Sequence, residues 1–409
     1  MKTALALLLT VLVPSVSGCN VYDSTLVDEG LAGIPERPPQ STSSPEDSVE
    51  VIFALRNVSL DQSGDRWRRF GLDLDGMNTR SIQDAAECVA ANGNPPLDGD
   101  NGIDNAFGRH VLPTVVSLIA CLEDNIALNQ GLGFGTVLVR LKEWNGTSND
   151  AKVDVSIISA VDGTSLDDVS GLEWGGPSGA TLMEQGGSVE APPPDWDGED
   201  FFFADPASLV AGSLDRPNVW RSDAYVSKGR IVFPVGTDAT FAFLTGPGSF
   251  SISIDGYFIG DISEDGQTLT RGLLAGRFSA GQLLATLRPL GICDESLRES
   301  VEGLLTDNLD LRVDKSLGSP DEPCTATGLS FAFQGIQAKL ASTVAPVPLP
   351  VPDPCAEGGT SGVQPAFDRC CRSVELNTPE LLPKDCNPSD LMPYAALPNP
   401  IPVPPADEF

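Results

Sequence analysis

Apolar and polar residues alternate along much of this chain, and the alternation predicts strands more often than helices. Val49 to Val58 reads as a first strand, and Gly71-Leu72-Asp73-Leu74-Asp75-Gly76 as a second with alternating acids. Further strands are expected at Thr136–Trp144 and Lys152–Val161. In the latter, Val153, Val155 and Ile157 alternate with Lys152, Asp154 and Ser156, the period of a half-buried strand. Five more follow at Ala224–Val226, Arg230–Pro234, Ala239–Leu244, Ser249–Ile254 and Tyr257–Ile262, and Leu329–Phe333 with the run to Leu340 closes the series. Turn dipeptides such as Asp255-Gly256 and Asp265-Gly266 separate them.

Helical spacing appears in two places. From His110 to Leu128, apolar residues recur at Leu112, Val115, Val116, Ile119, Leu122 and Ile126, with Pro113 in the first turn, where proline is tolerated. Residues 279–312 read as one or two helices through Leu283, Leu284, Leu287, Leu297, Val301, Leu304 and Leu305. With 41 Gly and 34 Pro, short strands and turns are favoured over long helices. The expected fold is mainly β with a few helices (α+β), a β-sandwich-like body carrying a small disulfide-rich C-terminal module.

Composition divides the chain. Residues 19–48 are polar and Pro/Ser-rich, a disordered tether. Residues 49–184 form a β-rich domain with an Asp-rich loop and one helix, 185–200 an acidic loop, and 201–344 a second β-rich domain with helices near 279–312. Alternating prolines at 345–354 make a polyproline-type linker, and 355–409 is a Cys/Pro-rich C-terminal module.

The N-terminus has its own pattern. Lys2 precedes an apolar run from Ala4 to Val13, and small residues lead to Cys19. This is a secretory signal peptide over residues 1–18, too short for a membrane span. Val16-Ser17-Gly18-Cys19 resembles the lipobox of bacterial lipoproteins. That resemblance implies diacylglyceryl and acyl (palmitate-type) chains on Cys19, and so a firm lipid anchor in the cell envelope. Asn20, where an inner-membrane protein of this class carries Asp, points to the outer membrane. A plain signal peptide with an ordinary cysteine is the alternative.

Charge and cysteine content narrow the picture further. The chain has 57 Asp+Glu against 25 Lys+Arg, a net charge of −32. Such a surface repels nucleic acid and suits cations or basic partners. If Cys19 is lipidated, Cys88, Cys121, Cys293, Cys324, Cys355, Cys370, Cys371 and Cys386 remain as an even set for disulfides in an oxidising compartment. Nearness in sequence suggests Cys88–Cys121 and Cys293–Cys324, with the last four pairing among themselves. Zinc is a poor rival, since there is one histidine and no CxxC.

One segment suggests a ligand. Asp98-Gly99-Asp100-Asn101-Gly102-Ile103-Asp104-Asn105 packs acids and amides into a glycine-bent loop. Calcium takes 6–8 oxygen ligands, and such a loop can wrap it, with Asp73 and Asp75 completing the shell. The stretch resembles the Asp-rich loops of EF-hand, dockerin and thrombospondin type 3 repeats, with shorter spacing and no Glu closing a twelve-residue loop. The same residues would also make a solvated turn in which Asp104 or Asn105 caps the next helix. A second cluster, Asp195, Asp197, Glu199 and Asp200, has the pattern of a charged loop. The Gly71–Gly76 turn and the later Gly-Ile-Asp-Asn, over roughly residues 50–130, resemble exported envelope lipoproteins of Gram-negative bacteria.

Catalysis is the weaker reading. His110, the only histidine, sits beside Arg109 at the start of a helix, and no Gly-x-Ser-x-Gly elbow, Walker loop or strand-linked GxGxxG occurs. The expectation is a non-catalytic binding or structural envelope protein, held on the membrane by lipid, with an unassigned protein or glycan partner. The alternative is a surface polysaccharide hydrolase using paired carboxylates, with Trp67, Trp144, Trp174, Trp196 and Trp220 as a sugar-stacking platform. Core or rim packing is the commoner use of such tryptophans.

Overall fold

The computed structural model describes residues 33–344 apart from 40–47, 61, 63, 119–121, 176–180, 185–186, 245–248, 291 and 315–318, together with Cys355. Residues 1–32, with the expected signal peptide and Cys19, the expected linker 345–354 and residues 356–409 lie outside the described residues. The strands are β1 Val49–Ser59, β2 Thr136–Trp144, β3 Asp150–Thr164, β4 Glu173–Trp174, β5 Thr181–Glu184, β6 Gly187–Glu190, β7 Phe201–Ala204 and β8 Val219–Ser227. They continue as β9 Arg230–Val235, β10 Phe241–Leu244, β11 Ser249–Ile252, β12 Asp255–Ile262, β13 Thr268–Ser279, β14 Ala326–Gln337 and β15 Lys339–Leu340. The helices are α1 Leu112–Leu118, α2 Leu122–Gly131, α3 Ala280–Leu287 and α4 Glu295–Asp307.

Eight strands close into an antiparallel barrel. Going round it, β1, β2, β3, β8, β9, β12, β13 and β14 follow in chain order, and β14 pairs back with β1. β3 is long enough to serve two neighbours: its residues 150–157 pair with β8, and its residues 160–164 with β7. β15 then adds to β7 in parallel. β4, β5 and β6 form a small separate sheet, and β10 and β11 a hairpin. Segments 49–184 and 201–344 thus contribute strands to one barrel and share its core.

Side chains fill the barrel. Period-2 alternation turns Val51, Phe53 and Leu55 of β1, Val137, Val139 and Leu141 of β2, and Val153, Val155 and Ile157 of β3 into one apolar cluster. Phe233 stacks on Phe258 with ring centroids 4.8 Å apart, and Phe258 on Phe333 at 6.2 Å. Leu112 and Val115 of α1, Leu283 and Leu287 of α3, and Val301 and Leu305 of α4 belong to the same cluster and join the helices to it. Two helix starts are fixed by side chains. Ser279 accepts from Gln282 N at 3.2 Å before α3, and Asp294 from Leu297 N at 2.9 Å before α4.

Several expectations are corrected. The body is one sheet closed on itself where a sandwich was expected; alternation specifies an inside and an outside but does not say whether the first and last strands meet. Gly71–Gly76 is not a strand. Leu72 is buried with Tyr225, Val232, Ile259 and Leu273, with Leu74 packed against the group, so the alternation records a loop lying on the outer wall. Its amides at Gly76 and Met77 bond to Asp73 and Asp75 carboxylates and not to a neighbouring strand. Asp255-Gly256 lies within β12, paired to β13, and is not a turn. β13 itself escapes the alternation rule because Gly272 to Phe278 are all buried. Before α1, residues Phe107–Val111 form a π-helical turn, adjoining Pro113, which cannot donate a backbone hydrogen bond.

The cysteine pairing also differs. Cys88 bonds to Cys324, and Cys293 to Cys355. The first pair meets because Val89 N donates to Glu322 O at 3.0 Å and Cys324 N to Val89 O at 2.9 Å. Cys355 is therefore not confined to pairing within the last four, and it is tied to the turn between α3 and α4. Cys121, Cys370, Cys371 and Cys386 lie outside the described residues.

Of the segment expected to be a tether, residues 33–39 and 48 are described, and Pro35 and Arg37 touch the barrel. Arg37 donates to Ala151 O at 2.7 Å and lies 4.6 Å from the Tyr225 ring centroid, while the Tyr225 hydroxyl donates to Pro35 O.

Emptying the centre of the phenylalanine stack tests the filled barrel. Phe258→Ala should lower unfolding stability by about 3–5 kcal/mol, the usual loss for a fully buried phenylalanine. Urea titration should show the lower midpoint with an unchanged slope.

Candidate metal centre

The loop on the outer wall carries its leucines inward and its acids away from them. Leu72 and Leu74 touch the wall, which leaves Asp73 and Asp75 to face the segment 98–105. That segment is folded back by short-range bonds: Gly99 N donates to Ile103 O at 2.8 Å, and Asp98 N to Thr79 O at 3.0 Å. Asn101 and Gly102 both have positive φ, at 57° and 85°. A side chain at Gly102 would meet Met77 O at 2.2 Å, so only glycine lets the two segments approach.

Asp104 is the centre of the arrangement. It is 1% exposed. Its Oδ2 accepts from Leu74 N at 2.6 Å and Asp75 N at 3.2 Å, and its own N–H donates to Leu72 O at 3.0 Å. Carboxylate oxygens of Asp73, Asp75 and Asp104 lie within 4.8 Å of one another and could hold a metal ion. Two further acids act on this group. Asp98 accepts from Thr79 N at 2.5 Å. Asp310, buried, accepts from Ala106 N at 3.1 Å and Gly328 N at 2.7 Å. A side chain at Gly328 would meet Asp104 O at 2.3 Å, which presses the loop onto β14.

The electrostatics follow from burial and like charge. Burial, with repulsion from Asp75, Asp310 and Asp73, raises Asp98 to about 7. Burial raises Asp104 well above the ordinary carboxylate range, with Asp75, Asp310 and Asp98 adding to it. Burial likewise raises Asp310 to about 6, and raises Asp73 and Asp75. Arg277 lowers Asp75, but it is engaged elsewhere. Its Nη1 contacts both oxygens of Glu87, at 2.8 and 2.7 Å, and Arg312 O at 2.8 Å, and its Nη2 donates to Leu74 O at 2.9 Å. The arginine thus holds the loop in place and leaves the aspartates short of positive charge.

The other residues singled out in the sequence have different places. Asp100 is exposed and lies 3.9 Å from Arg68, and Asn101 makes the left-handed turn. Asn105 is buried and structural: its amide donates to Gln62 Oε1 at 2.6 Å and Phe70 O at 2.7 Å, and its Oδ1 accepts from Gly108 N at 3.1 Å. The helix-entry capping foreseen for Asp104 or Asn105 therefore falls to Asn105, whose oxygen takes the Gly108 amide in the π-helical turn. Asp310, Glu87 and Arg277 were not singled out. For Asp310 a signal exists, because Leu309-Asp310-Leu311 repeats the Leu72-Asp73-Leu74 alternation.

Asp195, Asp197 and Asp200 also bring carboxylate oxygens within 4.8 Å and could hold an ion. Here Asp200 is committed to a turn, its two oxygens accepting from Asp195 N at 3.0 Å and Trp196 N at 2.7 Å. Trp67, Trp144, Trp174 and Trp196 are buried. Trp196 Nε1 donates to Gly131 O, and Trp144 Nε1 to Thr147 O, both at 3.0 Å. His110 is half-buried, and burial and Arg109 hold its imidazole below the usual range. Among the described residues no helix is long and apolar enough to cross a membrane. No known protein family, curated protein or solved structure matches this chain.

The raised carboxyls make stability depend on pH. Their folded values lie above the unfolded value near 4, so protonation favours the fold. Their contribution is complete below about pH 4 and is lost as pH rises through the folded values, about 6 for Asp310 and about 7 for Asp98. In chelator, thermal midpoints should fall between pH 4 and about 7, and Asp98→Asn should flatten the upper part of that fall. A midpoint that rises over this range in chelator contradicts the assignment.

Proposed function

We propose that this chain is an exported, lipid-anchored envelope protein of binding or scaffold type, and that a calcium ion stabilises its Asp-rich centre. The observation that carries the metal reading is the convergence of Asp73, Asp75 and Asp104, with Asp98 and Asp310 beside them. Five carboxylates in one partly buried site repel each other unless they are protonated or share a cation. All the side-chain donors are oxygens, the set a hard cation such as calcium prefers. The ion would neutralise the cluster and pin the loop to the barrel wall.

Export and anchoring rest on the N-terminal pattern ending at Cys19. The disulfides Cys88–Cys324 and Cys293–Cys355 support an oxidising compartment. The outer membrane is the proposed location, with Asn20 as its support. A glycosidase would need two acids facing across a sugar, beside exposed aromatics. Four of the tryptophans are enclosed, which favours the binding reading over hydrolysis.

Two measurements test these statements. At pH 7.5, calcium at a hundredfold excess over its dissociation constant should stabilise the fold by roughly 2.7 kcal/mol, seen as a higher thermal midpoint. Asp75→Asn, Asp104→Asn should abolish the response; a parent protein indifferent to calcium and chelator removes the metal from the proposal. Separately, the wild-type chain should partition into membranes, and Cys19→Ser should move it to the soluble fraction. Equal membrane association of the two would sink the lipid anchor.

A further inference from the structure

Trp220 stands apart from the other tryptophans: it is 53% exposed. It lies on the outer wall of the barrel, on β8, directly opposite Ser156 of β3. Ser156 is in turn opposite Arg140 of β2, so the three residues form one row across three strands. Arg140 is 4% exposed, yet its guanidinium has no ion pair or hydrogen bond among the described residues, and its Nε is fully enclosed. Next along β3, Asp154 lies opposite Lys142 and has an enclosed Oδ1 without a partner. Lys142 reaches Glu50 at 3.6 Å and Asp215 at 3.9 Å.

A buried charge without a partner is costly, and proteins keep such groups where a ligand or function compensates. Here two unsatisfied groups of opposite kind stand beside an exposed aromatic ring on one face. We propose that this wall is a binding site for an acidic saccharide, with Arg140 receiving the carboxylate, Trp220 stacking on the sugar ring and Asp154 accepting a sugar hydroxyl. The guanidinium fork matches a carboxylate with two parallel hydrogen bonds. The indole face offers flat apolar area to the C–H face of a pyranose. An ionised aspartate is an acceptor only, so its partner must be a donor such as a hydroxyl. A simple inorganic anion uses only the first feature, and a neutral sugar only the last two. Two strand spacings separate Arg140 from Trp220, about 10 Å, a span suited to a disaccharide.

The protein's charge of −32 adds a restriction. Long polyanions are repelled by the whole surface, so the site suits a short or sparsely charged glycan, and affinity for a polyuronate should rise as salt screens that repulsion. The proposal deepens the binding-protein reading and uses residues separate from the aspartate centre. Loss of the calcium response therefore leaves it standing, and its own failure leaves the metal centre standing.

The test is calorimetric titration of the full chain, with calcium present, against three probes: a uronate-containing disaccharide, the matching neutral disaccharide and inorganic phosphate. The uronate should bind and shift tryptophan emission. Arg140→Met should weaken it by about 10- to 100-fold, the worth of a charge-assisted pair. Trp220→Ala, a surface change, should weaken it by about fivefold. Arg140→Met should also unfold at the same or a higher temperature, because it deletes an unpartnered buried charge. Should Arg140→Met fail to fold, Trp220→Ala alone decides, through loss of both affinity and the emission shift. Absence of uronate binding, or binding that ignores both substitutions, overturns the proposal. Phosphate or neutral sugar binding as tightly as the uronate overturns the acidic-saccharide assignment.

Discussion

The pairing of β14 with β1 is the constraint on which the rest of the molecule depends. It joins Phe53 to Gln337 and Ala54 to Ile336, residues from opposite ends of the body. Closure leaves the eight strands of the ring without free edges and traps the phenylalanine stack inside. It also fixes what the connections can do. Since the ring follows chain order, each long connection must return to the neighbouring strand after crossing an end or an outer wall of the barrel. The helices cover part of the core, while the 60–110 segment and the strands β7 and β15 lie outside the ring.

Arg277 converts that outer layer into a defined site. It stands on β13, buried, and its contacts with Glu87, Leu74 O and Arg312 O hold three separate segments. Removing one member of a buried pair leaves the other uncompensated, typically at about 3–5 kcal/mol, so this contact sets the loop's position. The Cys88–Cys324 bond lies one residue from Glu87 and fastens the same neighbourhood covalently. Between these two ties, the Asp73–Asp75 turn and the 98–105 segment have little freedom to move their carboxylates apart. The repulsion is then relieved by protons or by a cation.

Much of the barrel was legible because burial alternates along its strands. Val153, Val155 and Ile157 point inward as the sequence implies, and the helices expected within 279–312 are α3 and α4, capped by Ser279 and Asp294. What failed did so for physical reasons. Alternation reports one buried side, which a loop on a wall shares with a strand, as at Leu72 and Leu74. A strand buried on both faces, such as β13, loses the alternation. In the candidate centre, Asp73, Asp75 and Asp104 could be named from local pattern, whereas Asp310 is brought beside them by the Leu311–Ala326 bridge and its bond from Gly328 N. Cysteine partners depend in the same way on which distant segments run side by side.

The filled interior bears on function as well. A barrel that binds within its mouth keeps a cavity; this one places Phe53, Phe233, Phe258, Phe331 and Phe333 in the core with no exposed surface. The two candidate sites lie instead on the outer walls, where the connections add further groups. One wall gathers carboxylates around Asp104, and another presents Trp220 beside the enclosed Arg140 Nε and Asp154 Oδ1. Both arrangements leave charge unsatisfied in places where the fold could have used apolar side chains at lower cost. On the reading proposed above, a cation at the first and a ligand at the second would offset that cost.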